Sequence, residues 1–315
     1  MLQAVTKEKS SAMIDFKRIS PEDKQTYEKF FPDDNIRGCE FSFANLYLWG
    51  RQSFAVLDGQ VVLFSQFNRK SVYPFPVGKG DKKAALDAVI ADSRERGIPC
   101  RITGLDAAAK EIICALYPDM FRFHCDEGSF DYVYDINDLA ELKGKKYHGK
   151  KNHFNRFRQD YPHYAVEPIS ESNISDVRLM VEEWYRKKLE ENPHGDYYME
   201  QVALDKAFKY FRELAMDGLV LRNEGQILAM TLGSLLSEDT FDVQFEKARA
   251  DVNGAYAAIN CEFARYIRSK YPNVKFLDRE EDMGLEGLRR AKQSYRPHHM
   301  VEKCWACLLE DGYEY

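Results

Sequence analysis

The sequence predicts an α/β fold with mixed sheets, built as two tandem units of similar topology related by internal duplication. Two observations carry this. Strand-like and helix-like stretches alternate along nearly the whole chain. The order of elements in residues 13–140 also returns in residues 162–310, where Glu224-Gly225-Gln226 in LVLRNEGQILAMTLG stands as Asp58-Gly59-Gln60 stands in FAVLDGQVVLFS. A chain of 315 residues has room for two such domains. Residues 141–161 read as a basic helix bridging them.

Each element has a local reason. Residues 1–12 read as a disordered lead, and MIDFKRI as a first strand by its alternation. Ser20 followed by Pro21 and Glu22 is a helix start leading into PEDKQTYEKFF. CEFSFANLYLWG reads as a buried helix, and Asp58-Gly59 joins two strands in a hairpin. DKKAALDAVIADSRERG is an amphipathic helix stopped by Gly97, followed by strand IPCRITGL, helix DAAAKEIICALYP and strand FDYVYDI. The second half gives strand YAVEPIS, helices SDVRLMVEEWYRKKL and ALDKAFKYFRELAMDG, and the second hairpin. Strand TFDVQFEKA, helix AYAAINCEFARYIRSKYP, strand VKFLDRE, helix GLEGLRRAK and strand VEKCWACLLE complete it.

A net charge of -6 argues against a protein that coats nucleic acid through a broad basic surface, leaving room only for a confined patch. No window is apolar enough to span a membrane, and the N-terminus lacks the core of a signal peptide, so a cytoplasmic protein is expected. Seven scattered cysteines fit reduced thiols. Cys304 and Cys307 form a Cys-x-x-Cys near His298 and His299, but strand alternation would send the two sulfurs to opposite faces, so core cysteines and no metal site are expected.

Chemistry is expected at four places. Lys143 to Arg158 carries seven Lys or Arg and no acid. As a helix after Gly149 it puts Phe154, Phe157 and Tyr161 on one side, with Lys145, Lys146, Lys150, Lys151, Arg156 and Arg158 free either to bind a polyanion or to form a wet cationic face. In TFDVQFEKA, alternation places Asp242, Gln244 and Glu246 on one face, with Glu246 as a candidate proton acceptor or an ordinary salt-bridge partner. The helix opening after Asn253-Gly254, with Lys247 and Arg249 just before it, suits a phosphate or oxyanion, or is a plain strand-to-helix turn. Asp278, Glu280, Glu281 and Asp282 precede a helix bearing Arg289, Arg290 and Lys292, an arrangement that complements the helix dipole or recognises an ammonium group; Tyr295 beyond it is a candidate proton donor.

GKKYHGKKNHFNRF, FEKA with NGAYAAIN, and REEDMGLEGLRRAKQSYRP, in that order, resemble the family that includes the C-terminal catalytic region of bacterial phosphatidylglycerol lysyltransferases. That family is similar to the Fem-type peptidoglycan aminoacyltransferases and has two GNAT-type folds in tandem. The resemblance implies an acyltransferase active in the second half, with Glu246 and Tyr295 catalytic and Lys247, Arg249, Asn253, Gly254 and Tyr256 holding the donor. It gives Glu281 or Asp282 the binding of an ammonium, and with the cluster described above the candidate substrate residues are Asp278, Glu281, Asp282, Arg289 and Lys292. It implies no required cofactor, a donor that is aminoacyl-tRNA or an acyl-coenzyme A, and a small-molecule, lipid-headgroup or peptide acceptor, with the basic helix approaching tRNA. Val252 stands where the usual GNAT pyrophosphate loop has its first Gly, which argues against coenzyme A. The leading expectation is therefore aminoacyl or acyl transfer to an amine or hydroxyl. A coenzyme A-dependent N-acetyltransferase and a non-catalytic module docking a polyanion are the alternatives.

Overall fold

The structure, a computed structural model, describes residues 13–30, 38–49, 51–67 and 70–311, so the expected disordered lead lies outside the described residues. The chain runs through β1 (Lys17–Arg18), α1 (Lys24–Glu28), α2 (Phe43–Leu48), β2 (Arg51–Leu57), β3 (Gln60–Phe67), β4 (Lys70–Pro74) and β5 (Val77–Gly78). It continues with α3 (Lys82–Arg96), β6 (Arg101–Leu105), α4 (Ala107–Leu116), β7 (Phe121–Cys125), β8 (Asp131–Asp135), α5 (Ile136–Glu141) and α6 (His148–Asp160). The remainder is β9 (Ala165–Pro168), α7 (Ile174–Glu191), α8 (Tyr198–Lys209), β10 (Asp217–Asn223), β11 (Gln226–Leu235), β12 (Thr240–Ala248), α9 (Ala255–Lys270), β13 (Phe276–Asp278), α10 (Glu286–Gln293), β14 (His299–Val301) and β15 (Cys304–Leu308).

The repeat is visible in the sheets. In each half a hairpin turns through an acid-Gly pair at positive φ, Asp58-Gly59 and Glu224-Gly225. A further strand then crosses through a helix to a parallel partner: β4, α3, β6 in one half and β12, α9, β13 in the other. Such a crossover needs a helix to carry the chain back over the sheet face.

The chain divides into two compact units that do not follow the linear boundaries 13–140, 141–161 and 162–310. Of the described residues, one comprises 13–19, 51–67, 70–124 and 304–311, the other 20–30, 38–49 and 125–303. The first unit's sheet runs β1-β2-β3-β4-β6-β15-β7, with β5 on β3. The second unit's sheet runs β14-β8-β13-β12-β11-β10-β9. Thus β15, from the second half, completes the first sheet, while β8, from the first half, completes the second.

In the first unit, Asp92 is fully buried on α3 and accepts from Tyr73 Oη at 2.7 Å, the Ile14 backbone at 2.7 Å and Arg96 Nε at 2.7 Å. Cys304 and Cys307 are both buried; the register irregularity beside them takes three steps on β6 for two on β15, so the extra residue lies on β6. Five of the seven cysteines, Cys39, Cys100, Cys114, Cys261 and Cys307, are free thiols; the expectation of reduced thiols fails for Cys125 and Cys304, which are disulfide-bonded.

In the second unit, α9 buries nine residues, among them Ala258, Phe263 and Ile267, in a core it shares with β8, α5, α6 and the sheet. The basic helix α6 packs on α9 through Phe154 and Phe157, with Tyr161 against the same cluster. It belongs to this unit and does not bridge two domains, which corrects the expected connecting role. Among the described residues, no helix is long and apolar enough to cross a membrane.

Candidate active site

The strand β12 decides where the chemistry sits. Its register against β11 advances from Leu232–Phe245 to Ser234–Asp242, three steps on β12 for two on β11, which is a β-bulge. Gly233 permits it, since a Cβ there would collide with the Asp242 carbonyl oxygen. The bulge returns Phe245 to the face of Asp242 and sends Glu246 to the other. The expected row of Asp242, Gln244 and Glu246 on one face is therefore split: Asp242 and Gln244 face residues 38–49, while Glu246 faces α9.

On the α9 face Glu246 is not a lone carboxylate. Arg279 Nη2 donates to its Oε1 at 2.9 Å, and Asn260 Nδ2 approaches Oε2 at 3.5 Å. Both members of the ion pair are nearly buried, with side chains 12–13% exposed. The Arg279 guanidinium lies 4.9 Å from the Tyr295 ring centroid and 5.7 Å from that of Tyr134. Lys150, reaching in from α6, puts its Nζ 3.9 Å from the centroid of the same Tyr295 ring. Burial, with help from the Arg279 charge, pulls Lys150 down to about 8, while burial pushes the Tyr295 hydroxyl well up, so it stays a proton donor. Among the described residues Arg279 Nη1 and Asn260 Oδ1 are buried without hydrogen-bond partners, so the site holds one unused donor and one unused acceptor.

The expected donor residues fare differently. Gly254 does open α9 at φ 78°, and α6 covers it so closely that a Cβ would strike the His153 carbonyl oxygen. Asn253 and Tyr256 are exposed at this end. Arg249, expected to hold a phosphate, is instead paired with Glu183 at 2.8 Å and Asp251 at 3.4 Å. Lys247 lies on the face opposite Glu246, paired with Glu200 at 2.5 Å and 4.3 Å from the Trp184 ring.

The acid cluster divides as well. Asp282 accepts from Arg289 Nε at 2.8 Å, Tyr132 Oη at 2.7 Å and the Gly284 backbone at 2.8 Å, an arrangement that folds the loop before α10; Arg289 first of all holds its carboxyl below the usual range. Lys292 is buried and donates to the backbone carbonyls of Arg279 and Glu280, so it braces that loop. Asp278 is fully buried on the face of Asp242. Glu281 meets Lys303 at 3.1 Å, where Lys303 also pairs with Asp131 at 2.6 Å and Glu40 at 3.6 Å. Burial pushes Glu40 up to about 7 and Glu280 up to about 8. Cys39, Glu40 and Asp131 come within metal-ligand reach of one another, but the Lys303 ammonium already stands among them.

On α6 and the 3-10 turn just before it (Lys145–Tyr147), Lys145, Lys146, Lys151, Arg156 and Arg158 are exposed. Lys146 pairs with Asp138 at 2.6 Å and Arg156 with Asp160 at 2.9 Å. A cavity of about 610 Å³ between α7 and α8, lined by Val181, Tyr185, Leu189, Leu204 and Phe208 among others, touches none of the expected site residues. Sequence reasoning missed Arg279, Asn260, Asn45, Asp131 and Lys303. An acid inside the apolar run FDYVYD and an amide inside FANLYL were the available signals.

Comparison with known proteins places this arrangement. A conserved protein of unknown function from Bacteroides thetaiotaomicron is 38% identical, with a TM-score of 0.88 over 94% of this chain and 100% of that one. L-PGS from Bacillus licheniformis shares the fold at 16% identity, TM-score 0.68, over 94% of each chain. FemX does so at 11% identity, TM-score 0.59, over 95% of this chain and 98% of that one. An uncharacterized protein, MYCGA3080, from Mycoplasmoides gallisepticum is 24% identical over 56% of each chain, so the match spans about half of that curated relative. The mixed α/β fold with two sheets expected from the sequence stands, and it is the fold shared with L-PGS and FemX. Residues 35–307 match the family described as phosphatidylglycerol lysyltransferase, C-terminal, and the chain belongs to that family.

Proposed function

We propose that the protein transfers an aminoacyl group from aminoacyl-tRNA to an amine or hydroxyl acceptor, at the α9 face of the second unit. The observation that carries this reading is the buried Glu246–Arg279 pair with an unpartnered guanidinium N-H beside Lys150 and Tyr295. Acyl transfer needs a proton acceptor, a proton donor and cationic N-H groups at the carbonyl oxygen, and this group contains all three. The acceptor atom attacks the ester carbonyl carbon, forming the new C-N or C-O bond, while Arg279 and Lys150 hold the oxyanion. The acceptor's proton passes to Glu246. The ester C-O bond to the ribose then breaks, and its oxygen takes a proton from Tyr295, which is restored from Glu246. The exposed cations of α6 supply a surface for the tRNA backbone. The engagement of Arg249 by Glu183 and Asp251 favours this donor over coenzyme A.

Thermal unfolding with charged tRNA, uncharged tRNA and acetyl-coenzyme A separates the donors, because a ligand of the native state raises its apparent stability. Charged tRNA alone should raise Tm, and Glu246→Gln should keep that shift while losing turnover. Wild-type turnover by Glu246→Gln, or a shift with acetyl-coenzyme A only, would overturn the reading.

A further inference from the structure

The other face of the same sheet carries polar chemistry that this reaction does not use. Asp242 and Asp278 are register partners on the parallel strands β12 and β13, and both are fully buried. Asn45 Nδ2 and Gln244 Nε2 both donate to Asp242 Oδ2, at 3.1 and 3.0 Å. The Glu280 backbone N-H donates to Asp278 Oδ1 at 2.8 Å. Four oxygens remain, Asp242 Oδ1, Asp278 Oδ2, Asn45 Oδ1 and Gln244 Oε1, each buried and each without a hydrogen-bond partner among the described residues. Two of them belong to neutral amides on side chains only 5% and 7% exposed, so the feature is more than a group of acids. Both amides spend their N-H groups elsewhere: Asn45 on the Cys39 carbonyl, Asp242 and Glu280, and Gln244 on Ser42, Ser234 and Asp242. Lys303 is committed to Asp131, Glu281 and Glu40.

We propose that Asp242, Asp278, Asn45 and Gln244 bind a divalent cation of the hard, oxygen-seeking class, Ca²⁺ or Mg²⁺. Two carboxylates match a charge of two. A donor set of carboxylate and amide oxygens, with no imidazole or thiolate, selects such ions over zinc or copper. Full burial of both aspartates suits a bare ion better than a substrate amine, which would need a path for its chain. Water would complete the shell. The ion ties α2, which carries Asn45, to the strand that carries the bulge, and so fixes the strand on whose far face Glu246 stands.

The test uses the full chain. Protein stripped with EDTA is dialysed against Ca²⁺ or Mg²⁺, its metal content is read by elemental analysis, and its unfolding is followed with and without each ion. One tightly held ion per chain is expected, with Tm raised by about 5 °C or more at a hundredfold excess over Kd. Asp278→Asn should lose the ion-dependent rise in Tm while keeping its circular dichroism spectrum, and Gln244→Leu should weaken binding at least tenfold. Wild-type protein that retains neither ion and shows no shift with either would overturn the proposal, as would undiminished binding by Asp278→Asn.

Discussion

Lys150→Met should make the protein more stable at neutral pH, an outcome opposite to that expected when a charge is removed from a wet helix face. Lys150 is held at about 8 against an ordinary value of 10.5, with burial as the leading cause. The unfolded chain therefore binds this proton more tightly than the folded one. The folded state carries the full penalty below pH 8 and sheds it as pH climbs from about 8 through 10.5. A depression of this size corresponds to roughly 3 kcal/mol, and partial exposure of the side chain cuts that by about half. Met keeps the aliphatic contact with the Tyr295 ring and removes the charge. Chemical denaturation of both proteins should show the variant ahead by about 1.5 kcal/mol at pH 7, shrinking to below about 0.5 kcal/mol at pH 10. A difference that stayed flat across this range would mean that Lys150 points into solvent and does not belong to the Glu246 site.

Three further perturbations probe other links. Arg279→Met leaves Glu246 buried and uncompensated and should cost about 3–5 kcal/mol, read by denaturation at pH 7, with Arg279→Met/Glu246→Gln recovering part of it. Gly233→Ala puts a methyl group against the Asp242 carbonyl, so the bulge must shift; a loss of about 2 kcal/mol or more is expected, together with loss of transfer activity through misplacement of Glu246. Tyr73→Phe removes one of three donors to the buried Asp92 and should lower stability by about 1–2 kcal/mol; a neutral result would show that Asp92 does not rely on the phenol.

Much of the architecture was legible because its signals are local. Asp58-Gly59, Gly97 and Glu224-Gly225 mark turns and a helix end through positive φ that few residues adopt, Ser20-Pro21 marks a helix start through the fixed φ of proline, and each stands where the sequence puts it. The apolar spacing of Phe154 and Phe157 likewise gave the buried side of α6. The site was read less well, because facing depends on strict alternation and the bulge at Gly233 breaks it. Strict alternation makes Glu246 and Asp242 neighbours on one face, whereas the bulge puts them on opposite faces. Arg249 and Lys247 read as phosphate ligands because Glu183 and Glu200, their partners, lie 66 and 47 residues away, a pairing no local pattern reveals. Asn45 escaped notice for the same reason: it meets Asp242 across 197 residues.

The exchange of β8 and β15 bears on how the chain is made. Each of these strands lies inside its sheet, β8 between β14 and β13 and β15 between β6 and β7. A ribosome that has delivered residues 1–140 has therefore not delivered a finished first unit, and β6 must wait with an open edge until Cys304–Leu308 emerges. Folding that normally proceeds from the N-terminal domain forward is here postponed until β15 has been made. A gene cut between the two halves should give fragments that aggregate separately and recover only when co-expressed, so the duplicated chain behaves as one indivisible unit of synthesis.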